Sequence, residues 1–275
     1  MTWKYFDSKF VYEEVFNDLA LPWAGHKYFA YDLIRNVKPK VVVELGTFKG
    51  TSLFSFCQAV KDEKLDTKLF AVDTWQGDEH AGFYGDGVFE GVKSIIGKYY
   101  SSVSVELLRK KFDEALNEFK DASIDVLHID GLHTYEAVKH DFETWFPKVK
   151  DGGIILFHDI SVVKDDFGVY KLWHELKDDF KTIEFLHSYG LGVLIKGTQN
   201  EDISLTSEEL QLQYACRLED IENKNIAMML DKINLAMLDI EKKNEELRNM
   251  HDTLDSIKKS RAYRIYSCIK RFFKA

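Results

Sequence analysis

The chain has 275 residues and a mass of 32.0 kDa, with 45% apolar and 30% charged residues. This composition excludes a collagen, a disulfide scaffold and a fully disordered chain, and the net charge of −9 argues against a general nucleic-acid binder. The three cysteines are few, odd in number and far apart, which fits a reducing compartment. Because no apolar run approaches the ~20 residues of a membrane span and no signal peptide is recognisable, we expect a cytoplasmic protein.

Through the first 200 residues, short apolar runs alternate with amphipathic stretches. Strands are predicted at 41–45, 69–73, 103–108, 124–130 and 154–157, and helices at 51–60, 89–100, 113–119, 135–149 and 166–180. A turn is predicted at 151–153, and residues 188–190 are predicted to join two last strands, 182–187 and 191–195, in a hairpin. Apolar strands separated by helices favour a parallel sheet covered on both faces. We therefore predict an α/β domain over 1–200 with a doubly wound, mostly parallel seven-stranded, Rossmann-like sheet.

A glycine-containing loop follows the first predicted strand. Its pattern, E-x-G-x-x-x-G, is that of neither a dinucleotide-binding loop nor a P-loop. An acid followed by two spaced glycines fits a nucleotide-like ligand that carries a positive group and no phosphate. The candidate ligand-binding residues in this loop are Glu44, Gly46, Thr47, Gly50 and Ser52.

An acidic residue, Asp73, ends the second predicted strand. It lies 27 residues after Gly46, where doubly wound folds place an acid that binds ribose hydroxyls. Trp75 follows closely, and it is a candidate either to cover an adenine ring or to pack in the core.

Histidines and carboxylates end the fourth and fifth predicted strands. Asp130, His158 and Asp159 are candidate ligands of a divalent cation, with Mg²⁺ favoured by the carboxylates and Mn²⁺ or Fe²⁺ admitted by the imidazole. His133, three residues after Asp130, is the candidate base that removes a proton from a metal-activated hydroxyl.

The segment 75–87 contains four glycines and follows the second strand, so we expect a mobile lid over the site. His80 and Tyr84 are its candidate substrate contacts.

The composition changes near residue 200, after which Gly is absent. Apolar residues occupy seven of eight positions at strict seven-residue spacing from 205 to 254, which predicts a coiled coil over 201–257 and self-association. The alternative is one long helix packed on the globular domain. From 258 onward the tail holds basic and aromatic residues without an acid, which suits an anionic membrane surface, an acidic partner or a solvated end.

Four segments together resemble class I S-adenosylmethionine-dependent methyltransferases over residues 25–196: VVVELGTFKGTS, LFAVDTWQGDEH, SIDVLHIDGLHTYEAVKHDFETWFPKVKDGG and IILFHDI. The resemblance is to the branch of metal-dependent sugar and natural-product O-methyltransferases that is grouped with cephalosporin hydroxylase-like sequences. It implies that Glu44, Gly46 and Gly50 surround the methionine and ribose of the cofactor, that Asp73 binds the ribose, and that Asp113 lies beside the adenine. It also implies that Asp130, His158 and Asp159 bind the metal and that His133 is the base. This family more often has an acid or Asn at the position of His158. The end of the chain, SRAYRI, is similar to ends of cell-surface polysaccharide biosynthesis enzymes, which implies a membrane-associated glycan.

These observations predict a metal-assisted O-methyltransferase that acts on a sugar hydroxyl of a glycan or a glycosylated metabolite. One alternative is a non-haem iron hydroxylase, and another is a non-catalytic scaffold that assembles a membrane complex.

Overall fold

The computed structural model describes residues 3–16, 22–197 and 207–272. The chain divides into two compact units, Met1–Ile221 and Glu222–Ala275.

Seven strands form one sheet in the first unit, and two short strands pair separately. The strands are β1 Val41–Leu45, β2 Lys68–Asp73, β3 Gly77–Asp78, β4 Gly82–Phe83, β5 Ser104–Arg109, β6 Ile124–Ile129, β7 Val149–His158, β8 Lys181–Phe185 and β9 Leu191–Ile195. The large sheet has the order β5-β2-β1-β6-β7-β9-β8, and its first five strands are parallel. β9 pairs antiparallel with both β7 and β8. The predicted mostly parallel seven-stranded sheet with a terminal hairpin is confirmed.

Eight α-helices accompany these strands: α1 Lys27–Val37, α2 Thr51–Glu63, α3 Gly87–Tyr99, α4 Phe112–Ala115, α5 Tyr135–Trp145, α6 Val169–Leu176, α7 Ser207–Lys259 and α8 Arg261–Phe272. Successive strand residues point to opposite faces of the sheet. In β1, Val42 therefore packs in the core with α1 and α2, and Val43 packs in the core with α5 and α6. Both faces are covered, as a doubly wound fold requires.

Helix α1 was not predicted from the sequence. It is buried on most of its surface, and even Lys27 and Asp32 are inaccessible to solvent. Its apolar residues nevertheless recur at the spacing of an amphipathic helix, so the sequence does carry the helical period: Phe29, Ala30, Leu33, Ile34 and Val37.

The predicted turn at 151–153 is wrong, because β7 begins at Val149 and runs through these residues. The register between β6 and β7 shifts at this point, which absorbs the extra residues in an irregularity of the ladder. The preceding helix α5 accordingly ends at Trp145 rather than at 149, and one 3₁₀ turn over Phe146–Lys148 leads into the strand.

The first turns of α7 belong to the α/β unit. Leu210 and Tyr214 are buried in its core, and the Tyr214 hydroxyl donates a hydrogen bond to Asp32 at 2.7 Å. Arg217 pairs with the same carboxylate at 3.1 Å. The unit therefore extends past the composition change near residue 200, to Ile221.

The remainder of α7 and all of α8 form the second unit. Apolar side chains at heptad spacing are more than half exposed along α7, among them Ile226, Ile233, Ile240, Leu247 and Leu254. A single chain does not test a coiled coil, so self-association stays a prediction. Among the described residues, none of the helices combines the length and the apolar character needed to span a membrane.

Candidate functional site

A cavity of about 600 Å³ opens at the carboxyl ends of the parallel strands, where such sheets hold their ligands. Eleven of the predicted site residues line it: Gly46, Thr47, Gly50, Ser52, Asp73, His80, Tyr84, Asp130, His133, His158 and Asp159. The other three, Glu44, Trp75 and Asp113, do not line this cavity.

The loop after β1 is held by the carboxylate that ends β2. Asp73 Oδ2 accepts hydrogen bonds from the backbone N–H groups of Thr47 at 2.8 Å and Phe48 at 2.9 Å. Its Oδ1 accepts one from the N–H of Trp75 at 2.6 Å. Asp73 thus orders the loop in addition to facing the cavity.

The two loop glycines have left-handed backbone angles, with φ of +87° at Gly46 and +90° at Gly50. A Cβ at Gly46 would lie 1.9 Å from the carbonyl oxygen of Asp130, and one at Gly50 would overlap the ring of Phe54. Packing within the protein therefore requires a glycine at position 50, which also lines the cavity.

Glu44 lies beneath the loop rather than in the cavity. Its Oε2 accepts a hydrogen bond from Thr47 Oγ1 at 2.8 Å, and its Oε1 lies 3.0 Å from Nδ1 of the buried His128. Because His128 Nε2 accepts from the Trp23 indole, its Nδ1 donates to Glu44. Glu44 was predicted to contact a cofactor, but it lies outside the cavity. It holds Thr47 by a hydrogen bond instead, and Thr47 lines the cavity.

Trp75 packs in the core, the second of its two predicted roles. It is fully buried, its indole N–H donates to the carbonyl of Phe48 at 3.1 Å, and its ring packs edge-on against Phe89.

Asp113 points away from the cavity. Its side chain is 63% exposed and pairs with His140 at 2.9 Å. The neighbouring Phe112 lines the cavity instead, because it is the first residue of α4 and faces inward at Gly131.

The carboxylates of Asp130 and Asp159 converge with His133 at the end of β6 and β7. Ligand atoms of these three residues lie within 4.8 Å of one another. Among the residues that the structure describes, these three form the group that could hold a metal ion. His133 Nε2 lies 2.8 Å from Asp159 Oδ2 and 3.5 Å from Asp130 Oδ1. Asp159 has a left-handed backbone (φ 64°), which an aspartate tolerates better than most residues.

His158 borders this group but uses one nitrogen elsewhere. Its Nε2 donates to the carbonyl of Ser188 at 3.2 Å, and its Nδ1 lies 3.3 Å from Asp159 and 3.5 Å from Asp130. His133 therefore joins the two carboxylates in the group that could hold an ion, and the predicted ligand His158 lies beside that group. The identity of the metal ligands stays a prediction.

Protonation within the group follows from its opposite charges. Burial lowers the pKa of both histidines, but Asp130 and Asp159 outweigh it and raise each pKa to about 10. Burial would raise the pKa of Asp130 and Asp159, but the two imidazolium groups hold both below the usual range. His133 is therefore protonated at neutral pH in this state and cannot act as a base.

The donor set nevertheless fits a divalent cation. Two carboxylates and one imidazole suit Mg²⁺ or Mn²⁺, whereas the usual non-haem iron triad has two imidazoles and one carboxylate. Asp159 Oδ1 is buried and has no hydrogen-bond partner among the described residues, so one ligand oxygen remains available.

The segment after β2 contains an ordered element, since β3 and β4 pair as a short hairpin within it. His80 lies beside His133, with their Nδ1 atoms 3.3 Å apart, and its Nε2 is 2.8 Å from Asp166. Tyr84 packs on Phe48 at the cavity wall. The two predicted substrate contacts therefore reach the cavity, and closure of this segment as a lid stays a prediction.

Sequence reasoning missed most of the aromatic lining of the cavity, namely Trp23, Phe48, Phe167 and Tyr189. Tyr189 lies in the predicted hairpin turn and Phe48 in the glycine-containing loop, so their positions beside strand ends were a usable signal. Trp23 and Phe167 come from segments with no recognisable pattern.

Residues 43–160 match a protein family described as a methyltransferase domain. An uncharacterized protein of Sinorhizobium fredii is 45% identical over 184 residues, which cover 67% of this chain and 20% of that protein. An uncharacterized protein of Acanthamoeba polyphaga mimivirus is 32% identical over 124 residues, which cover 42% of this chain and 50% of that protein. The chain therefore spans about a fifth of the length of the first relative and half of the length of the second.

Among solved structures, a Klebsiella pneumoniae protein provisionally described as an O-methyltransferase superposes with a TM-score of 0.50. It shares 14% identity, and the match covers 70% of this chain and 92% of that one, so the likeness concerns the fold. The family match and the fold agree with the sheet order and with the position of the cavity. Residues 43–160 are therefore similar to a methyltransferase domain, and the unit that contains them has a Rossmann-like α/β fold.

Proposed function

We propose that the chain is an S-adenosylmethionine-dependent O-methyltransferase that uses a divalent metal and methylates a sugar hydroxyl of a glycan or a glycosylated metabolite. One observation carries this proposal: a single cavity joins the loop after β1 to the group of Asp130, His133 and Asp159. Methyl transfer needs in-line placement of donor and acceptor and removal of one proton, so a cofactor loop and a proton acceptor in one cavity suffice.

The loop side of the cavity fits the cofactor. Thr51 is among the residues that line it, and Thr51 Oγ1 is buried without a hydrogen-bond partner among the described residues. Asp73 lines the cavity as an acceptor for hydroxyl groups. S-adenosylmethionine supplies a methyl group on a sulfonium and leaves as a neutral thioether, and it needs no phosphate site.

The carboxylate side fits a metal held by Asp130 and Asp159, with His133 as third ligand or as base. A bound divalent cation would lower the pKa of an acceptor hydroxyl beside it. The same cation would offset the negative charges of Asp130 and Asp159, which keep a proton on His133. His133 Nε2 can then accept the hydroxyl proton, which is the role the sequence suggested.

The cavity walls support a sugar as the acceptor. Phe167 and Tyr189 line the cavity with aromatic rings, and Asp78 lines it with a carboxylate that can accept hydrogen bonds. A sugar ring has apolar C–H faces and hydroxyl edges, so it requires both kinds of contact. The resemblance to sugar O-methyltransferases supports the same acceptor class.

The first experiment is calorimetric titration of the full chain with S-adenosylmethionine and S-adenosylhomocysteine, with and without Mg²⁺. We expect one site per chain for both molecules. His133→Ala should retain this binding and lose release of S-adenosylhomocysteine with glycoside acceptors, whereas His140→Ala, an exposed histidine on α5, should retain both.

Metal binding is tested separately by titration of Mn²⁺ followed by electron paramagnetic resonance. Asp159→Asn should weaken Mn²⁺ binding at least tenfold, because it removes a charged ligand, and Asp121→Asn at the surface should not. No cofactor binding under any metal condition would overturn the proposal. Turnover with Fe²⁺ and an oxo-acid would then favour a hydroxylase. The absence of any turnover would favour a scaffold.

A further inference from the structure

The last helix, α8, has an apolar face that is fully open to solvent. Ile265, Tyr266 and Ile269 are each more than half exposed, and with Ala262 they follow the i, i+3, i+4, i+7 spacing of one helix face. α8 begins as a separate helix after α7, since Ser260 Oγ accepts a hydrogen bond from the N–H of Tyr263 at 3.1 Å. The face is therefore continuous over the whole helix and is not an extension of the α7 stripe.

Basic residues flank this face. At 100° per residue, Arg261 and Lys270 lie at its two borders, and Arg264 lies on the opposite side of the helix. Arg261 and Arg264 stand in the first turn, where the helix dipole disfavours cations. Arg264 donates a hydrogen bond to the carbonyl of Lys259, the last residue of α7, at 3.0 Å, so it caps that helix. The cations that border the apolar face are Arg261 and Lys270.

The charge of the tail is opposite to that of the remaining chain. Residues 256–275 hold seven Lys and Arg residues and no acid, so the other 255 residues carry 30 basic and 46 acidic residues, a net charge of −16. A negatively charged surface repels most of the chain and attracts only this end. A partner selected by charge at this end is therefore anionic.

α8 is too short to cross a bilayer. Its 12 residues extend about 18 Å, against a hydrocarbon core of about 30 Å. A short helix of this kind lies in the plane of the membrane surface. It has an apolar face, basic residues at the borders of that face and aromatic rings at the depth of the headgroups.

We propose that α8 binds the surface of a bilayer that contains anionic lipids. Ile265 and Ile269 enter the acyl boundary, Tyr266 lies at the headgroups, and Arg261 and Lys270 at the borders of the face pair with lipid phosphates. This inference uses only α8 and does not depend on the proposed methyl transfer.

The test is flotation of the full chain with vesicles on a density gradient. One set of vesicles is pure phosphatidylcholine, and the other is a mixture of phosphatidylcholine and phosphatidylglycerol. The chain should float with the anionic vesicles, remain below with the neutral ones, and detach in high salt because salt screens the charges. A sample without vesicles is the control for aggregation. Aggregated protein sediments, whereas vesicle-bound protein floats, so flotation distinguishes binding from aggregation.

Two charge variants are compared. Arg261→Gln with Lys270→Gln should weaken the partition coefficient about thirtyfold, at about fivefold for each charge. Lys40→Gln with Lys93→Gln removes two exposed charges from the α/β unit and should leave partitioning unchanged.

Two apolar variants separate insertion from charge alone. Ile265→Ala with Ile269→Ala keeps the helix and the charges but reduces the apolar face, so it should also weaken flotation. Val163→Ala with Leu186→Ala removes similarly exposed apolar area from the α/β unit and should not. The proposal is overturned if the wild-type chain stays below with both vesicle types, or if either α8 variant floats as the wild type does.

Discussion

A side chain at position 46 would collide with the neighbouring strand. The Cβ of an alanine there would lie 1.9 Å from the carbonyl oxygen of Asp130, and the backbone has φ +87°. We expect Gly46→Ala to lower the free energy of unfolding by about 3 kcal/mol or more, because strain and overlap add. Urea denaturation measures this loss.

Gly97→Ala is the matched control for that substitution. Gly97 lies on the exposed side of α3 with open space around its Cα, so alanine should raise the free energy of unfolding by up to about 1 kcal/mol. Equal stability of the two variants would contradict the close approach of β1 and the Asp130 backbone.

Asp141 is a buried carboxyl on α5, and burial raises its pKa to about 7. The folded protein therefore holds this proton more tightly than the unfolded chain, whose Asp pKa is about 4. The contribution of Asp141 to stability is full below pH 4 and is lost as the pH rises to about 7. Asp141→Asn removes this loss, so it should be more stable than the wild type above pH 7 by about 4 kcal/mol.

Denaturation curves of wild type and variant at several pH values test this. The difference in the free energy of unfolding should grow from pH 4 to pH 7 and then level off. Asp66→Asn, at a fully exposed position, should show no such change. A difference that is constant with pH would show that Asp141 is ionised throughout.

At the scale of elements, α7 carries more exposed apolar surface than a solitary helix can keep in water. Its stripe repeats every seven residues, which is the period of a left-handed coiled coil. We propose that a second copy of this chain covers the stripe. Sedimentation equilibrium should then give a multiple of 32.0 kDa.

Paired variants on two sides of α7 locate that contact. Ile233→Lys with Ile240→Lys places charges in the stripe and should return the chain to a single copy. Leu235→Lys with Leu238→Lys makes the same change on the opposite side and should leave the mass unchanged. A wild-type mass of one chain would remove the proposal.

For the whole molecule, the structure assigns the start of α7 to the α/β unit. A chain that ends at residue 206 loses two fully buried side chains, Leu210 and Tyr214, and leaves Asp32 without two of its partners. We expect it to be less stable than a chain that ends at Ile221 by about 4 kcal/mol. Thermal and urea denaturation of both chains measure the difference, and equal stability would place the boundary near residue 200.

The sequence alone predicted most of the sheet, because its strands are short apolar runs whose signal is local. It also predicted the hairpin from 182 to 195 and the residues at the strand ends, since parallel strands bring their carboxyl ends to one edge. It failed for α1, although apolar residues recur there at helical spacing, and for 151–153, where an irregular ladder accommodates a sequence typical of a turn.

Only the tertiary structure decided which candidate side chains face the cavity. Glu44, Trp75 and Asp113 stand in the right segments, yet His128, Phe89 and His140 hold them elsewhere, and these partners are distant in sequence. The protonation of His133 has this origin in part, because its pKa is raised by Asp130, three residues away, and by Asp159, 26 residues away along the chain and 2.8 Å away in space. Chain patterns thus determined the fold class and the location of the site, since both arise from local periodicity and strand order. Side-chain direction and charge state arise from long-range contacts, which no local pattern encodes.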